Sequence, residues 1–503
     1  MTQNDLTGLI VLYVYAFGLL ILATVVQKWR GYPAEFTRKI VHVGAGMAVF
    51  PIYWLFDNWY IGIIPTATFI VFNYISYRFH LIKAMDLSGD TPGTVYFAFS
   101  ITVLLAFFWP RGQIYIAIAG VMAMTWGDAF AAILGRAFGK HAYFVGKHRR
   151  TFEGSAAMFG FSFVAILLVL SFFNTGLDWY RIIAFSLILS LAAAFLEAIS
   201  LVGLDNITVP FGTSLLLWAL VSWQVNITML LLGLALSIAI GYVAYSRRSL
   251  SFSGVLGAII TGTTIFGFGG WVMGLTLIAF FIYGSILSKY KEREKTNVAQ
   301  DKFDKGSRRD FGQALANGGV GAVFAVLYFL NPSMTWLFAA FVGTMATVNA
   351  DTWATEIGVL SKRPPRLVTT GKVVTPGTSG GITLLGTSAT LIGGLLIGIT
   401  VYLLRIIFGL FEGNTSNWQS FWIILAALAG GFAGSLFDSL LGATVQAMYH
   451  NPETGKETEK KIARNGVKNV FERGWRYMDN DMVNFFSSAI GAGVATLAVL
   501  AFI

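Results

Sequence analysis

The sequence is expected to form an all-α polytopic membrane protein of about sixteen transmembrane helices, arranged as two tandem parallel eight-helix repeats. Three observations carry this expectation. The 503 residues are 56% hydrophobic and only 12% charged, with a mean hydropathy of +0.68, outside the range of ordinary soluble domains. Apolar windows of roughly 17 to 25 residues recur along the whole chain. Basic residues fall in every second connection between them, as they do where loops alternate between membrane faces.

The windows can be followed in order. The first residues, MTQND, lack the basic n-region and cleavage site of a signal peptide, so the apolar run 6–26 is expected to remain as a span. The basic connections hold Lys28, Arg30, Arg38 and Lys39, then Arg78 and Lys83, then Arg136 to Arg150. The alternation continues through Arg247-Arg248, the charged stretch 289–310, the loop 361–375 and the loop 450–476. These loops read as cytoplasmic, with both termini outside and the protein integral to a cell inner membrane. The stretch 450–476 and the histidines His141 and His148 read as solvated. The cluster Gly267-Phe-Gly-Gly270 reads as a turn between two spans and not as a nucleotide fingerprint, since no strand precedes it. A net charge of +10 is accounted for by such loops and not by nucleic-acid binding, and zero cysteines exclude disulfides and thiolate metal sites.

The repeat is read from two acidic helix ends. The fifth window closes on Thr125-Trp-Gly-Asp-Ala-Phe-Ala-Ala-Ile-Leu-Gly135 and the thirteenth on Asn349-Ala-Asp-Thr-Trp-Ala-Thr-Glu-Ile-Gly358, which align without gaps. Asp128, Ala131 and Gly135 match Asp351, Ala354 and Gly358 at i, i+3 and i+7, one stripe of a helix. An offset of eight windows keeps both copies in one orientation. A basic loop follows each stripe, then a small-residue helix start (Glu153-Gly-Ser155 against Pro376-Gly-Thr378), then an acid in a later window (Glu197 against Asp438). The halves are drawn at 1–223 and 224–503.

A carboxylate at the edge of hydrocarbon costs roughly 2.5 to 3.5 kcal/mol unless it is paired or hydrated. Asp128 and Asp351 therefore require partners. They are either helix-end acids paired with loop arginines or ligands of a metal and its substrate. The small residues beside them admit a close neighbour of either kind. The loops that follow combine Lys and Arg with glycine, in Gly146-Lys-His-Arg-Arg-Thr-Phe-Glu-Gly-Ser155 and Gly371-Lys-Val-Val-Thr-Pro-Gly-Thr-Ser-Gly-Gly381, a composition that suits phosphate. Hard oxygen ligands without thiols favour Mg²⁺, which binds one or two protein carboxylates plus substrate phosphates. Together these point to phosphoryl transfer onto a lipid. His42, at the start of the second window, is either a phosphate contact or base, or an interfacial histidine.

The residues also carry a family resemblance. Arg38-Lys39 with His42, Gly127-Asp-Ala-Phe-Ala-Ala-Ile-Leu-Gly135, Lys147 with Thr151-Phe-Glu-Gly-Ser155, and Glu197-Ala-Ile-Ser-Leu-Val-Gly-Leu-Asp-Asn206 resemble the CTP-dependent polyprenol kinases, dolichol kinase and more closely phytol kinase. That resemblance covers residues 1–220. Residues 226–503, through Ser307-Arg-Arg-Asp-Phe-Gly-Gln-Ala-Leu-Ala-Asn317, the stripe at Asp351, Thr375-Pro-Gly-Thr378, Gly434-Ser-Leu-Phe-Asp438 and Asn480-Asp481 with Asn484, resemble the family containing phytyl-phosphate kinase. The resemblance implies a first Mg²⁺–nucleotide site lined by Asp128, Lys147, Glu153, Glu197, Asp205 and Asn206, with Arg38, Lys39, His42 and Thr151 as further ligand contacts. It implies Asn317, Asp351, Glu356, Lys372, Thr378, Asp438, Asp481 and Asn484 for the second. Asp128, Asp205, Asp351, Glu356 and Asp481 are then the metal carboxylates, with Asp128 or Glu153 as base in the first half; Asp351 and Asp438 are the catalytic acids of the second, which needs no base because its acceptor is already a phosphate anion.

The implied function is stepwise. The first half would convert a prenol such as phytol or geranylgeraniol to its monophosphate and the second would add another phosphate, with CTP or another nucleoside triphosphate as donor. Two rivals are weighed against it: an ion-coupled secondary transporter, which also uses tandem repeats and intramembrane acids, and a CTP-dependent cytidylyltransferase acting on a lipid phosphate.

Overall fold

In a computed structural model the described residues are all except 31–33, 80–90, 146–147, 292–293, 296–307, 412–419, 454, 456, 460, 463–465 and 503. The chain is an all-α polytopic membrane protein, and twelve of its helices are long and apolar enough to cross a membrane among the described residues. It divides into two compact units, Met1–Gln224 and Val225–Ile503.

The first unit runs through α1 (Gln3–Arg30), α2 (Ala34–Met47), α3 (Val49–Leu55), α4 (Trp59–Gly62), α5 (Ile64–Phe79), α6 (Gly93–Phe108), α7 (Ile114–Phe138), α8 (Phe152–Phe172), α9 (Trp179–Ile199) and α10 (Asp205–Ser222). Polar residues cap the entries where the chain leaves a loop: Thr151 accepts the Gly154 N–H at 3.2 Å and Asp178 that of Arg181 at 2.8 Å. Helix α7 is the axis of the unit. Every residue from Ile114 to Thr125 is buried, as the apolar, small-residue composition all round that stretch requires. It packs against α8, α9 and α10, with α2 and α6 on its other side.

The second unit contains α11 (Ile227–Ser246), α12 (Phe252–Lys289), α13 (Phe311–Leu330), α14 (Thr335–Gly358), α15 (Leu384–Phe411), α16 (Trp422–Thr444) and α17 (Asn480–Phe502). The glycine cluster expected as a turn lies inside α12, at Gly270, whose φ of +63° only glycine adopts without strain. The chain folds back there. A Cβ on Gly274 would stand 2.4 Å from the Phe266 ring, whereas eight residues of straight helix span about 12 Å. Helix α14 is the axis here, buried from Leu337 to Ala350 and packed on α15, α16 and α17.

The count of about sixteen windows exceeds the twelve spans for identifiable reasons. Helices α2 and α3, of 14 and 7 residues, are each shorter than a span and break at Ala48. Helix α12 holds two windows in one element of 38 residues. Helices α10 and α14 mix Asp, Asn and Thr into their apolar runs.

Two further expectations are corrected. The loop 450–476 is not merely solvated: β5 (Met448–His450), β6 (Glu457–Thr458) and β7 (Val470–Arg473) form a three-stranded antiparallel sheet in the order β6-β5-β7, preceded in the chain by the antiparallel pairs β1 (Ala142–Val145) with β2 (His148–Thr151) and β3 (Arg366–Leu367) with β4 (Gly381–Ile382). Trp475 N–H donates to Val445 O at 2.8 Å and Ala447 N–H to Met478 O at 2.7 Å, tying that loop to the end of α16. The second correction concerns Pro376-Gly-Thr378, which is not a helix start. Thr378 sits in an exposed turn, its hydroxyl donating to Thr375 O at 2.7 Å, and α15 begins later, capped by Thr383, whose Oγ1 accepts the Gly386 N–H at 3.0 Å. Thr383 and Gly386 abut Gly358 as Thr151 and Gly154 abut Gly135. The counterpart of Glu153 by this packing is Leu385.

Glycines let the helices of the second unit touch. A Cβ on Gly491 would lie 1.8 Å from Thr347 Oγ1, itself bonded to Gly343 O at 2.8 Å and Gly430 O at 3.0 Å. Gly491→Ala is expected to lower stability by about 1 to 3 kcal/mol through overpacking. The check is thermal unfolding in detergent, with Thr347→Ala added to the same chain restoring part of the loss.

Candidate functional site

In the first unit the C-terminal ends of α7 and α9 and the N-terminal ends of α2, α6 and α10 meet at one end of the bundle. Asp128 and Lys39 form an ion pair there, and His42 Nε2 lies 3.7 Å from the same carboxylate oxygen. The His42 ring stacks on Phe97 at 4.3 Å, so it is a packed member of the site and not an interfacial side chain. Asp205 accepts the Asn206 side-chain amide at 3.1 Å and is close enough to Asp128 for their charges to repel.

These groups close the polar end of a cavity of roughly 520 Å³. Arg38, Lys39, His42, Asp128, Arg149, Arg150, Asp205 and Asn206 line that end, and the remainder is lined mainly by apolar residues such as Leu12, Leu19, Ala48, Ile52, Phe69 and Ile101, with Tyr15, Thr66, Asn73 and Ser76 among them. From Lys39 to Ile52 is thirteen residues, about 20 Å of helix. One cavity therefore offers charge at its mouth and hydrocarbon along its depth.

Other expected residues stand elsewhere. Glu197 is 5% exposed at its side chain and ion-paired with Arg150, whose guanidinium also donates to Glu197 O at 3.1 Å; it anchors the basic hairpin to α9. That hairpin pairs β1 (Ala142–Val145) with β2 (His148–Thr151). Glu153 accepts from His141 Nδ1 at 2.7 Å outside the cavity, and His141 is exposed, as expected. Thr151 is committed as the α8 cap. Lys147 and the His148 side chain lie outside the described residues.

In the second unit the charge of Asp351 acts on Asp438, and that of Glu459, from the sheet-bearing loop, acts on Asp351. Asp438 accepts from Ser487 Oγ at 3.1 Å, and that hydroxyl also bonds Asn484 O at 3.0 Å. Asp481 starts α17 and lies against Gly312 at the start of α13. Glu356 is held by Ser288 at 2.7 Å and Lys295 at 2.6 Å, which leaves it little free coordination. Asn317 faces a separate cleft between α11, α12 and α13. Lys372 is exposed and Thr378 half-buried in the loop before β4 (Gly381–Ile382).

The carboxylate pairs suit Mg²⁺, which takes one or two protein carboxylates and completes its shell with phosphate oxygens and water. Among the described residues no group of three or more acids and histidines surrounds a single point, so neither site is an all-protein cage. Residue-level reading missed Asn73, a lone amide in an apolar window that donates to Thr94 O at 3.1 Å, as a cavity-lining residue; Arg149 and Arg150, which line the same cavity, belong to the basic glycine loop whose composition suits phosphate.

The integral membrane protein DUF92 family model matches residues 235–492. Protein PGR of Arabidopsis thaliana is 34% identical over 54% of this chain and 96% of its own length. Phytol kinase of Synechocystis sp. is 33% identical over 41% of this chain and 88% of its own length. Protein VTE6, chloroplastic, of Arabidopsis thaliana is 26% identical over 49% of this chain and 65% of its own length. No solved structure matches. The chain thus belongs to the DUF92 integral membrane protein family and is related to the phytol kinases.

Proposed function

We propose that this protein is a membrane lipid kinase acting in two consecutive steps, with a prenol phosphorylated in the first unit and the prenyl monophosphate in the second. The observation that carries the reading is the first-unit cavity, whose charged mouth and apolar depth match a lipid with one reactive polar end. The named activity of the Synechocystis relative points the same way.

In the first unit the prenol tail lies along Leu12, Leu19 and Ile52, and its hydroxyl reaches Asp128. Lys39 keeps Asp128 ionised and oriented, and Asp128 takes the hydroxyl proton as the oxygen bonds to the γ-phosphorus. The γ-phosphorus to β-bridging oxygen bond breaks and the nucleoside diphosphate leaves. Asp128 and Asp205 are the residues that would hold Mg²⁺, which would supply charge neutralisation for the phosphates. Arg149 offers its guanidinium group to the donor, and CTP is the donor the family resemblance implies. Both units are read as copies of one bundle, since α7 packs on α8, α9 and α10 as α14 packs on α15, α16 and α17. With the basic loops cytoplasmic, both sites face the cytoplasm of an inner membrane and both termini lie outside.

The test is incubation of the purified protein in detergent with phytol, Mg²⁺ and each nucleoside triphosphate, followed by mass spectrometry of the lipids. Monophosphate followed by diphosphate is the expected result. A cytidylylated lipid with release of pyrophosphate would move the assignment to cytidylyl transfer, and no new lipid with any donor and several prenols would overturn it.

A further inference from the structure

The cleft of the second unit lies among its first four helical passes in chain order, α11, the two arms of α12, and α13, as the large cavity of the first unit lies chiefly among α1, α2–α3, α5 and α6. The two differ in chemistry. The first contains Asp128 and Asp205, whereas Asp and Glu are absent from the residues lining the second, whose polar members include Arg309, Gln313 and Asn317.

Arg309 is positioned before any ligand arrives. Its backbone N–H donates to Ser249 O at 3.0 Å and its carbonyl accepts from Ser251 N at 2.8 Å. Its guanidinium lies 5.5 Å from the Phe280 ring centroid and against Gly284, where a Cβ would stand 2.9 Å from Nη2 and 3.5 Å from Thr352, the neighbour of Asp351. The acid acting on it, Glu356, is already held by Lys295 at 2.6 Å and Ser288 at 2.7 Å. Among the described residues the Arg309 side chain makes no ion pair. A half-buried arginine fork beside an apolar wall without its own counterion calls for an anion, and a phosphate matches its bidentate geometry.

We propose that Arg309 receives the phosphate already present on the second unit's lipid acceptor, in a cleft of roughly 90 Å³ that holds the head group while Phe266, Leu277 and Phe280 guide the first part of the tail. This rests on the reading of that unit as a prenyl-phosphate kinase and assigns what distinguishes its substrate from that of the first. An alcohol needs a carboxylate to take its proton. A phosphate monoester is already an anion and needs a cation to offset its repulsion from the donor.

The test uses the full chain in detergent with phytyl monophosphate, Mg²⁺ and the active nucleotide. Arg309→Lys and Arg309→Gln are expected to raise KM for phytyl monophosphate by about tenfold or more, the loss that a charge-assisted hydrogen bond implies, with Gln the worse. The unfolding temperature of the same preparations serves as the folding control. As an independent measurement on the unaltered protein, dodecyl phosphate should compete with phytyl monophosphate and dodecanol should not. An unchanged KM in folded Arg309→Lys, or equal competition by dodecanol, would overturn the assignment of Arg309. Failure of the unaltered protein to turn over phytyl monophosphate with any nucleotide would instead overturn the kinase reading of the second unit.

Discussion

Asp128→Asn is expected to reduce formation of prenyl monophosphate from prenol by about 10² to 10⁴-fold, the range for loss of a positioned acid–base group, and to leave phosphorylation of supplied prenyl monophosphate intact. The change is nearly isosteric. Its side chain lines a cavity at 16% exposure, so the amide can be accommodated without a hole. What it removes is the charge that pairs with Lys39 and the lone pair that accepts a proton. Asp351→Asn should do the converse, because the two acids belong to separate compact units, each with its own packed axis helix. Lipid products of both variants, offered prenol and prenyl monophosphate in separate reactions, decide the matter. Loss of both activities from either single change would mean that the units do not divide the labour.

The second large effect is on stability. Arg150→Met should cost about 3 to 5 kcal/mol, because it strands the Glu197 carboxylate without its counter-charge. Glu197 is only 5% exposed, and Arg150 also donates to the carbonyls of Glu197 and Ser200, which otherwise end α9 with few partners. The readout is the unfolding temperature in detergent. Arg150→Met combined with Glu197→Gln is expected to recover most of the lost stability, since the buried charge is then gone from both sides. If Arg150 mattered only through the ligand, the single variant would unfold at the original temperature while losing activity.

Much of this protein is legible in one dimension. Apolar length and the small-residue stripes at Asp128 and Asp351 identify membrane helices and their acidic ends, because insertion into hydrocarbon depends on the local segment and an unpaired carboxylate there is costly wherever the rest of the chain lies. Arg38, Lys39, His42, Asp205 and Asn206 likewise belong to motifs, and the structure gathers them around one cavity mouth.

Tertiary structure decided the rest. Glu153 and Glu197 look equivalent to Asp128 as letters, yet one is taken by His141 and the other by Arg150, and only their neighbours in space make them structural. Pro376-Gly-Thr378 aligned by composition with a helix start, but Thr383 and Gly386 fit against Gly358, so contact and not spacing selects the start of α15. The apolar depth of the cavity, and the pairing of Arg309 with a cleft lined by no acid, are set by which helices meet, and the local pattern that specifies each helix says nothing of its neighbours.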